Sequence, residues 1–412
     1  MRKVFRWARL ITVVCSLFFV LPMTASAAGP LKLDGSTQFL WGDDLLSDSQ
    51  AIVAQYLRLS YNPQGERVSI TGYGRFSKDF DGSSIRDNDL TGRLYYLYMD
   101  YRPFSNPDSG LFRLGRQYVN LSAGSAIVDG LSFTAHHVGT LPVGLTVVGG
   151  RDVRFSLDSE SSRSGNTFWG VDLHLEGVKA TQLGISYVRR YDEWDRAREE
   201  VGMNFRYIYR FLSPYAEMRY DLLSKTTDEA TVGIDIFPMN NLMIKGEFYQ
   251  SYPTFDSTSI YSVFAVDRFR EYLIRAEYSL EAPVTLFAAY AKQNYQDSSN
   301  ADNYVFGARV YPLKNLTVNA SVDYRTGYGG NLWGFELTGD YKINSKILVA
   351  GGIQYDAYKR PDNDNNGNAQ RYWLGGQYIV NKNVSVNLRL EDNVNENFNH
   401  RTLGRIAVNW TI

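Results

Sequence analysis

One feature constrains this chain more than any other: from residue 31 to residue 412, apolar and polar residues alternate with period two in stretches of about ten. In residues 315–325, Leu316, Val318, Ala320, Val322 and Tyr324 fall on one face, and Thr317, Asn319, Ser321, Asp323 and Arg325 on the other. In residues 383–391, Val384, Val386, Leu388 and Leu390 oppose Ser385, Asn387, Arg389 and Glu391. Trp333, Phe335, Leu337 and Tyr341 oppose Glu336, Thr338, Asp340 and Lys342, and Trp169, Val171, Leu173 and Leu175 oppose Asp172, His174 and Glu176. Segments of this kind fold as strands with one apolar and one polar face. A soluble sandwich alternates as well, but its strands average about five or six residues. Ten tilted residues suffice to cross a bilayer core.

The apolar faces often end in Tyr, Trp or Phe, as interfacial girdles require. The composition agrees, with 30 Tyr, 22 Phe, 35 Gly, 12 Pro and a mean hydropathy of −0.30. In a membrane barrel only every second residue meets lipid, so hydropathy stays low. Connections alternate between short and long. The short ones, such as 62–65, 211–214, 238–241, 312–315 and 381–383, carry Pro, Gly or Asn, which set turn dihedrals at little cost. The long ones, including 78–91, 120–127, 150–167, 191–199, 251–267, 356–370 and 392–401, are polar. Ten short turns and eleven long loops predict an all-β, closed antiparallel transmembrane barrel of about 22 strands (range about 18–22), with short periplasmic turns and longer extracellular loops. The strands around 31–41 and 126–138 carry the weakest pattern. The barrel must close, because hydrocarbon offers nothing to a stray N–H or C=O.

Residues 1–27 read as a cleaved signal peptide, and 28–412 as one barrel domain. Arg2, Lys3, Arg6 and Arg9 precede an apolar run over 10–21, and Ala25-Ser26-Ala27 supplies the cleavage signal. The single cysteine, Cys15, lies in that run. Disulfides, thiolate metal sites and Cys-attached haem are therefore excluded from the rest of the chain, and no cofactor is expected. The whole chain has 43 Lys+Arg against 44 Asp+Glu, and without the four leader cations the balance is mildly acidic. That argues against a nucleic-acid partner.

The polar faces carry many charges: Arg75, Arg113, Arg206, Arg210, Arg275, Arg309, Arg325, Arg371, Arg389 and Arg405, with Asp172, Glu217, Asp221, Asp235, Glu247, Glu277, Asp323, Glu336 and Asp340. An Arg or Lys facing lipid near the midplane costs about 2–4 kcal/mol, so these residues are expected to face the lumen. They either pair across strands and solvate the wall or set up a selectivity field. Their mixed signs predict no strong ion preference. A barrel of this width needs something in its lumen. A loop such as 150–167 or 251–267 folding inward would serve, or a second protein.

Other constellations are weaker. Asp362, Asp364, Asn366 and Gly367 match the opening of a calcium-binding loop, but Trp373 stands where the bidentate Glu belongs. Weak calcium binding there competes with a plain solvent loop. His136, His137, His174 and His400 are the only histidines. Adjacent strand residues point to opposite faces, so His136 and His137 form no ligand set by themselves and read as wall or rim residues. Glu199-Glu200 reads as a solvated loop pair. No nucleophile–base arrangement is visible, so the chain is not expected to be an enzyme.

Together, the leader, the rhythm of turns and loops, and the last strand (401–412, ending Val408-Asn409-Trp410-Thr411-Ile412) resemble bacterial outer-membrane porins along the whole mature chain. The last strand looks like the one read by the barrel-assembly machinery, although Ile412 stands where an aromatic residue is usual. The resemblance implies a location in the outer membrane, contact with its lipid and lipopolysaccharide, and passage of small hydrophilic solutes through a water-filled lumen. A second resemblance is to the porin-like component of porin–cytochrome conduits. It implies a sheath whose lumen holds a periplasmic or outer-membrane c-type cytochrome, but the N-terminal Cys pair found in some sheath proteins is absent here.

Overall fold

The computed structural model describes residues 29–412 apart from 44–48, 82–89, 105, 107–108, 139–140, 156–159, 162–164, 253–267, 281–282, 297–298, 360–365 and 397. The leader and the acidic part of the 362–367 loop lie outside the described residues, while Asn366 and Gly367 open a strand. Twenty-three strands run from β1 (Leu31–Asp43) to β23 (Phe398–Thr411). β8 (Glu160–Ser161) pairs only with the end of β7 (Val143–Phe155). The other twenty-two form one antiparallel sheet, each strand beside its predecessor.

The sheet closes where β1 meets β23, in a register running from Asp34↔Thr411 to Gly42↔Leu403. Side chains complete the joint. The Thr411 hydroxyl donates to Asp34 at 2.7 Å, and the Arg401 guanidinium donates to the Asp43 carbonyl at 3.2 Å. No row of main-chain donors is left at either end of the sheet, which is the condition for a sheet in hydrocarbon.

Both weakly patterned strands are present, as β1 and as β6 (Gly124–Ala135). Most strands are 10–14 residues long, because several segments read as loops continue the ladder. The expected loop at 191–199 is a turn at Glu193 and Trp194 between β10 (Thr181–Asp192) and β11 (Asp195–Tyr207). Arg210, expected on a wall, sits in a turn with φ 43°.

The alternation sets the two faces. On β15 (Phe269–Ser279), Tyr272 and Ile274 are exposed on the outer face, whereas Glu271, Leu273 and Arg275 pair in register with the inner-face residues Tyr249, Glu247 and Lys245 of β14 (Leu242–Ser251). Ile185, Phe306 and Leu374 are likewise exposed, each at 50% or more. An apolar residue bare to solvent on a closed sheet costs nothing once lipid covers it, and this band needs such a cover.

Pairing fails in one place. β4 (Thr91–Tyr101) and β5 (Gly110–Leu121) are in register only from Leu97↔Arg116 to Tyr101↔Phe112. Gly115 takes φ +125°, and a Cβ there would lie 2.3 Å from the Leu97 carbonyl oxygen. Beyond this kink β5 leaves β4.

Neighbouring residues on opposite faces should respond differently to charge. Ile274→Arg is expected to lower stability by about 2–4 kcal/mol. Leu273→Arg should cost less than half as much, as read by reversible unfolding in lipid vesicles.

Candidate pore interior

The part of β5 that leaves β4 carries β6 with it, and the tip of this hairpin folds into the barrel. Its turn is Ser122-Ala123. The segment 120–127, expected as a long extracellular loop, is thus a two-residue turn inside the lumen. The reason is local: Ser122, Ala123, Gly124, Ser125 and Ala126 are small enough to lie flat against a neighbouring sheet, and Val119 and Leu121 give the tip an apolar face. That face buries itself. Val119, Ala123, Ala126 and Val128 pack with Val148 of β7, Phe168 of β9 (Thr167–Leu175) and Val188 of β10, with Leu121 at the margin. Burying an aliphatic or aromatic side chain contributes roughly 1.5–3 kcal/mol, so this small cluster is enough to hold the tip down.

The wall is cut to receive the tip. At Gly202 of β11 a Cβ would lie 2.1 Å from the Ala123 nitrogen, and at Gly170 of β9 it would lie 2.7 Å from Leu121 Cδ1. Three hydrogen bonds fix the seat. The Ala123 amide donates to Ser186 Oγ at 2.7 Å, the Ser122 hydroxyl to Asn204 Oδ1 at 2.7 Å, and the Arg190 guanidinium to the Ser125 carbonyl at 3.0 Å. Ser186 stands at the middle of β10, so the tip narrows the lumen near mid-depth.

Ion pairs surround the seat. Asp152, 1% exposed, faces Arg154 at 3.1 Å and Arg190 at 3.2 Å. Glu200, 2% exposed, faces Arg198 at 3.3 Å and Arg219 at 3.5 Å. Glu199-Glu200, expected in a solvated loop, therefore lies on β11. Glu200 is sealed beside the tip, and Glu199 pairs with Arg196 and Tyr187. Alongside the tip a polar cavity of about 450 Å³ is lined by Asn120, Asp172, His174, Asn204, Glu217 and Arg219, among others.

The remaining charges of the polar faces fall into three groups. Some are paired: Arg113 with Asp100 at 2.7 Å, Arg275 with Glu277 at 2.6 Å, Glu247 with Lys245 at 2.8 Å and with the Tyr215 hydroxyl, and both Arg389 and Arg371 with Glu391 at 3.1 Å. Others bond to neutral groups or stack: Arg206 lies over Tyr215, Arg309 donates to Asn319, and Arg325 donates to the Tyr295 hydroxyl. The rest are placed by register alone. Asp323 and Asp356 flank Gly334 on adjacent strands, one row from Glu336. Arg75 stands directly opposite Arg93. Asp235 is opposite Lys245, and Glu217 is opposite Asn204 and Thr231. The signs are mixed around the circumference.

At the short-turn rim the histidines do more than the sequence suggested. Glu176 follows β9 and gathers three donors. His136 Nδ1 lies at 2.7 Å, the His137 amide at 2.9 Å and His174 Nε2 at 3.0 Å. His137 reaches the cluster because φ 51° ends the strand alternation there. Burial acts to raise the Glu176 carboxyl, but these donors outweigh it and hold it at about 2. No group of three or more residues among those described is arranged to hold a metal ion.

No protein-family model and no curated protein matches the sequence. Solved structures do match the fold. The siderophore receptor PirA from Pseudomonas aeruginosa aligns over 94% of this chain and 82% of its own, with TM-score 0.61 and 10% identity. The ferric enterobactin receptor PfeA from the same organism aligns over 94% and 81%, with TM-score 0.62 and 9% identity. A BenF-like porin from Pseudomonas fluorescens Pf-5 aligns over 94% and 99%, with TM-score 0.47 and 11% identity. The fold is that of outer-membrane β-barrels.

Two outcomes test this interior. Gly202→Val should unseat the tip and raise single-channel conductance at least twofold, with the barrel still folded. Glu176 has a depressed folded value, so its contribution to stability is complete above about pH 4.5. That contribution fades as pH falls towards 2. With His136 and His174 protonated, the stability difference between wild type and Glu176→Gln should therefore be full at about pH 5 and shrink as pH falls towards 2.

Proposed function

We propose that the barrel is a passive, non-enzymatic channel for small hydrophilic solutes. One observation carries this reading: Arg58, Glu217, Glu336, Asp340 and Arg405 are exposed although they lie on the inner face of a closed cylinder. Charges exposed there need water beside them, and a water-filled lumen through a membrane is a conduit.

The inward hairpin supports the same reading. Twenty-two-stranded transporters fill their lumen with a plug, whereas among the described residues the turned-in hairpin Gln117–Ala126 occupies one side of this lumen. A cytochrome threaded through the barrel would meet that tip, whose seat is built from matched glycines and hydrogen bonds. On this reading the inner-face charges Arg75, Arg113, Arg206, Arg275, Arg309, Arg325, Arg389, Glu217, Asp235, Glu247, Glu277, Asp323 and Glu336 act as a lumen lining. Their mixed signs favour neither ion strongly.

Planar-bilayer recording of the purified chain should show a stable open pore of roughly nanosiemens order with weak ion preference. Liposome swelling should show entry of small sugars. A barrel that inserts and never conducts, or that co-purifies stoichiometrically with a c-type cytochrome, would refute the channel.

A further inference from the structure

The wall of this barrel splits on one side, from just below the midplane of the membrane outward. The last register pair between β4 and β5 is Leu97↔Arg116, four residues above Tyr101 at the short-turn end. At about 3.3 Å per residue and about 40° of tilt, the split begins about 10 Å up a band about 25 Å tall. Above it the β5 edge of β4, residues 91–96, pairs with no strand among the described residues, because Gln117–Ala126 have turned into the lumen.

Side chains close this split. Arg116 sits at its foot, with Asp129 and Glu160 each at 2.7 Å, and donates to the Leu94 carbonyl at 3.0 Å. That main-chain acceptor would otherwise belong to the missing strand. Higher up, Phe155 at the end of β7 lies under the Arg93 guanidinium at 4.7 Å and meets the Tyr95 ring at 5.9 Å. Unpaired backbone at this depth is tolerated only where protein or water covers it. Elsewhere in the wall the closure is a continuous ladder, which cannot part without losing many hydrogen bonds. Here, among the described residues, side-chain contacts alone cross the gap.

The two sides of the seam differ in chemistry. Its outer margin is apolar: Leu94, Leu97 and Leu114 are exposed where lipid would lie. Its inner margin is aromatic and cationic. Tyr73 stacks on Tyr95 at 5.1 Å and on Tyr56 at 6.3 Å, and touches Tyr96 at 5.5 Å. Arg58 and Arg75 stand opposite Tyr73 and Tyr56, and Arg75 Nε is buried without a hydrogen-bond partner. Arg58 is exposed to the lumen on the same face as Arg75, so the inner margin offers two cationic side chains.

We propose that this seam is a lateral portal between the lumen and the outer leaflet. It passes an anionic single-chain amphiphile, with the chain lying among the leucines and the acidic head drawn to Arg58 and Arg75. The proposal rests on the channel reading only for the aqueous side of the portal.

The test uses a barrel without native cysteine after the leader. Tyr95→Cys with Phe155→Cys is purified and reconstituted in vesicles containing a dodecanoate with a photoreactive group beside its carboxylate. A short bismaleimide then bridges the pair. Before bridging, photolabel should map to the lumen residues Tyr73 and Tyr96. After bridging, that labelling should fall at least tenfold with conductance unchanged. Arg116→Gln, which removes the latch but spares the ladder, should raise labelling in the unbridged protein. Labelling confined to Leu94 and Leu97 would mean annular lipid only and would overturn the portal. So would labelling unaffected by the bridge, or labelling and conductance lost together. A wild-type barrel that labels normally but never conducts would sink the channel and leave the portal standing.

Discussion

Every feature of this molecule follows from one constraint: main-chain N–H and C=O groups must find partners where the solvent has none to offer. The constraint selects strands closed into a ring, and the β1–β23 register answers it directly. It also explains the exception. Where β5 departs from β4, the Leu94 carbonyl is taken by Arg116, and Asp129 and Glu160 neutralise that guanidinium. A charge on the outward side of a membrane sheet is costly unless it does such a task.

The inward hairpin is the second organising element. It is a piece of the wall redirected into the lumen, held by a small apolar cluster and by wall positions that have given up their side chains. Gly202 and Gly170 illustrate how two distant parts of a sequence become complementary: one loses a Cβ where the other brings backbone. The ion pairs around the seat, Asp152 with two arginines and Glu200 with two more, sit almost wholly out of solvent. Losing one partner there would leave a charge uncompensated, which is far costlier than losing an exposed pair.

Much of this was legible in the sequence. Period two is a local property, so the strands, their inner and outer faces and the approximate strand number could be read from Leu316 and Thr317 alone and their repeats. The hairpin could not. Ser122-Ala123-Gly124-Ser125-Ala126 looks like any polar loop, and its destination is set by Ser186, Gly202 and Asn204, more than sixty residues away. Glu200 was misread for the same reason, since its burial comes from a partner that no periodicity reveals. The rim cluster around Glu176 failed differently. Alternation separates His136 from His137, but a positive φ at His137 ends the alternation one residue early. A run of small residues flanked by Val119 and Leu121 was the one available hint that the loop was built to lie against something.

The joint between the two ends of the sheet has a kinetic side. Asp34 meets Thr411 across almost the whole length of the chain, so this contact has the longest loop to close and no neighbouring pair can form it early. Until it forms, the molecule is a curled ribbon with two raw margins, each able to accept any passing strand. The barrel is thus most exposed to mistaken partners just before completion, and a chaperone that shields the β23 margin would protect it best.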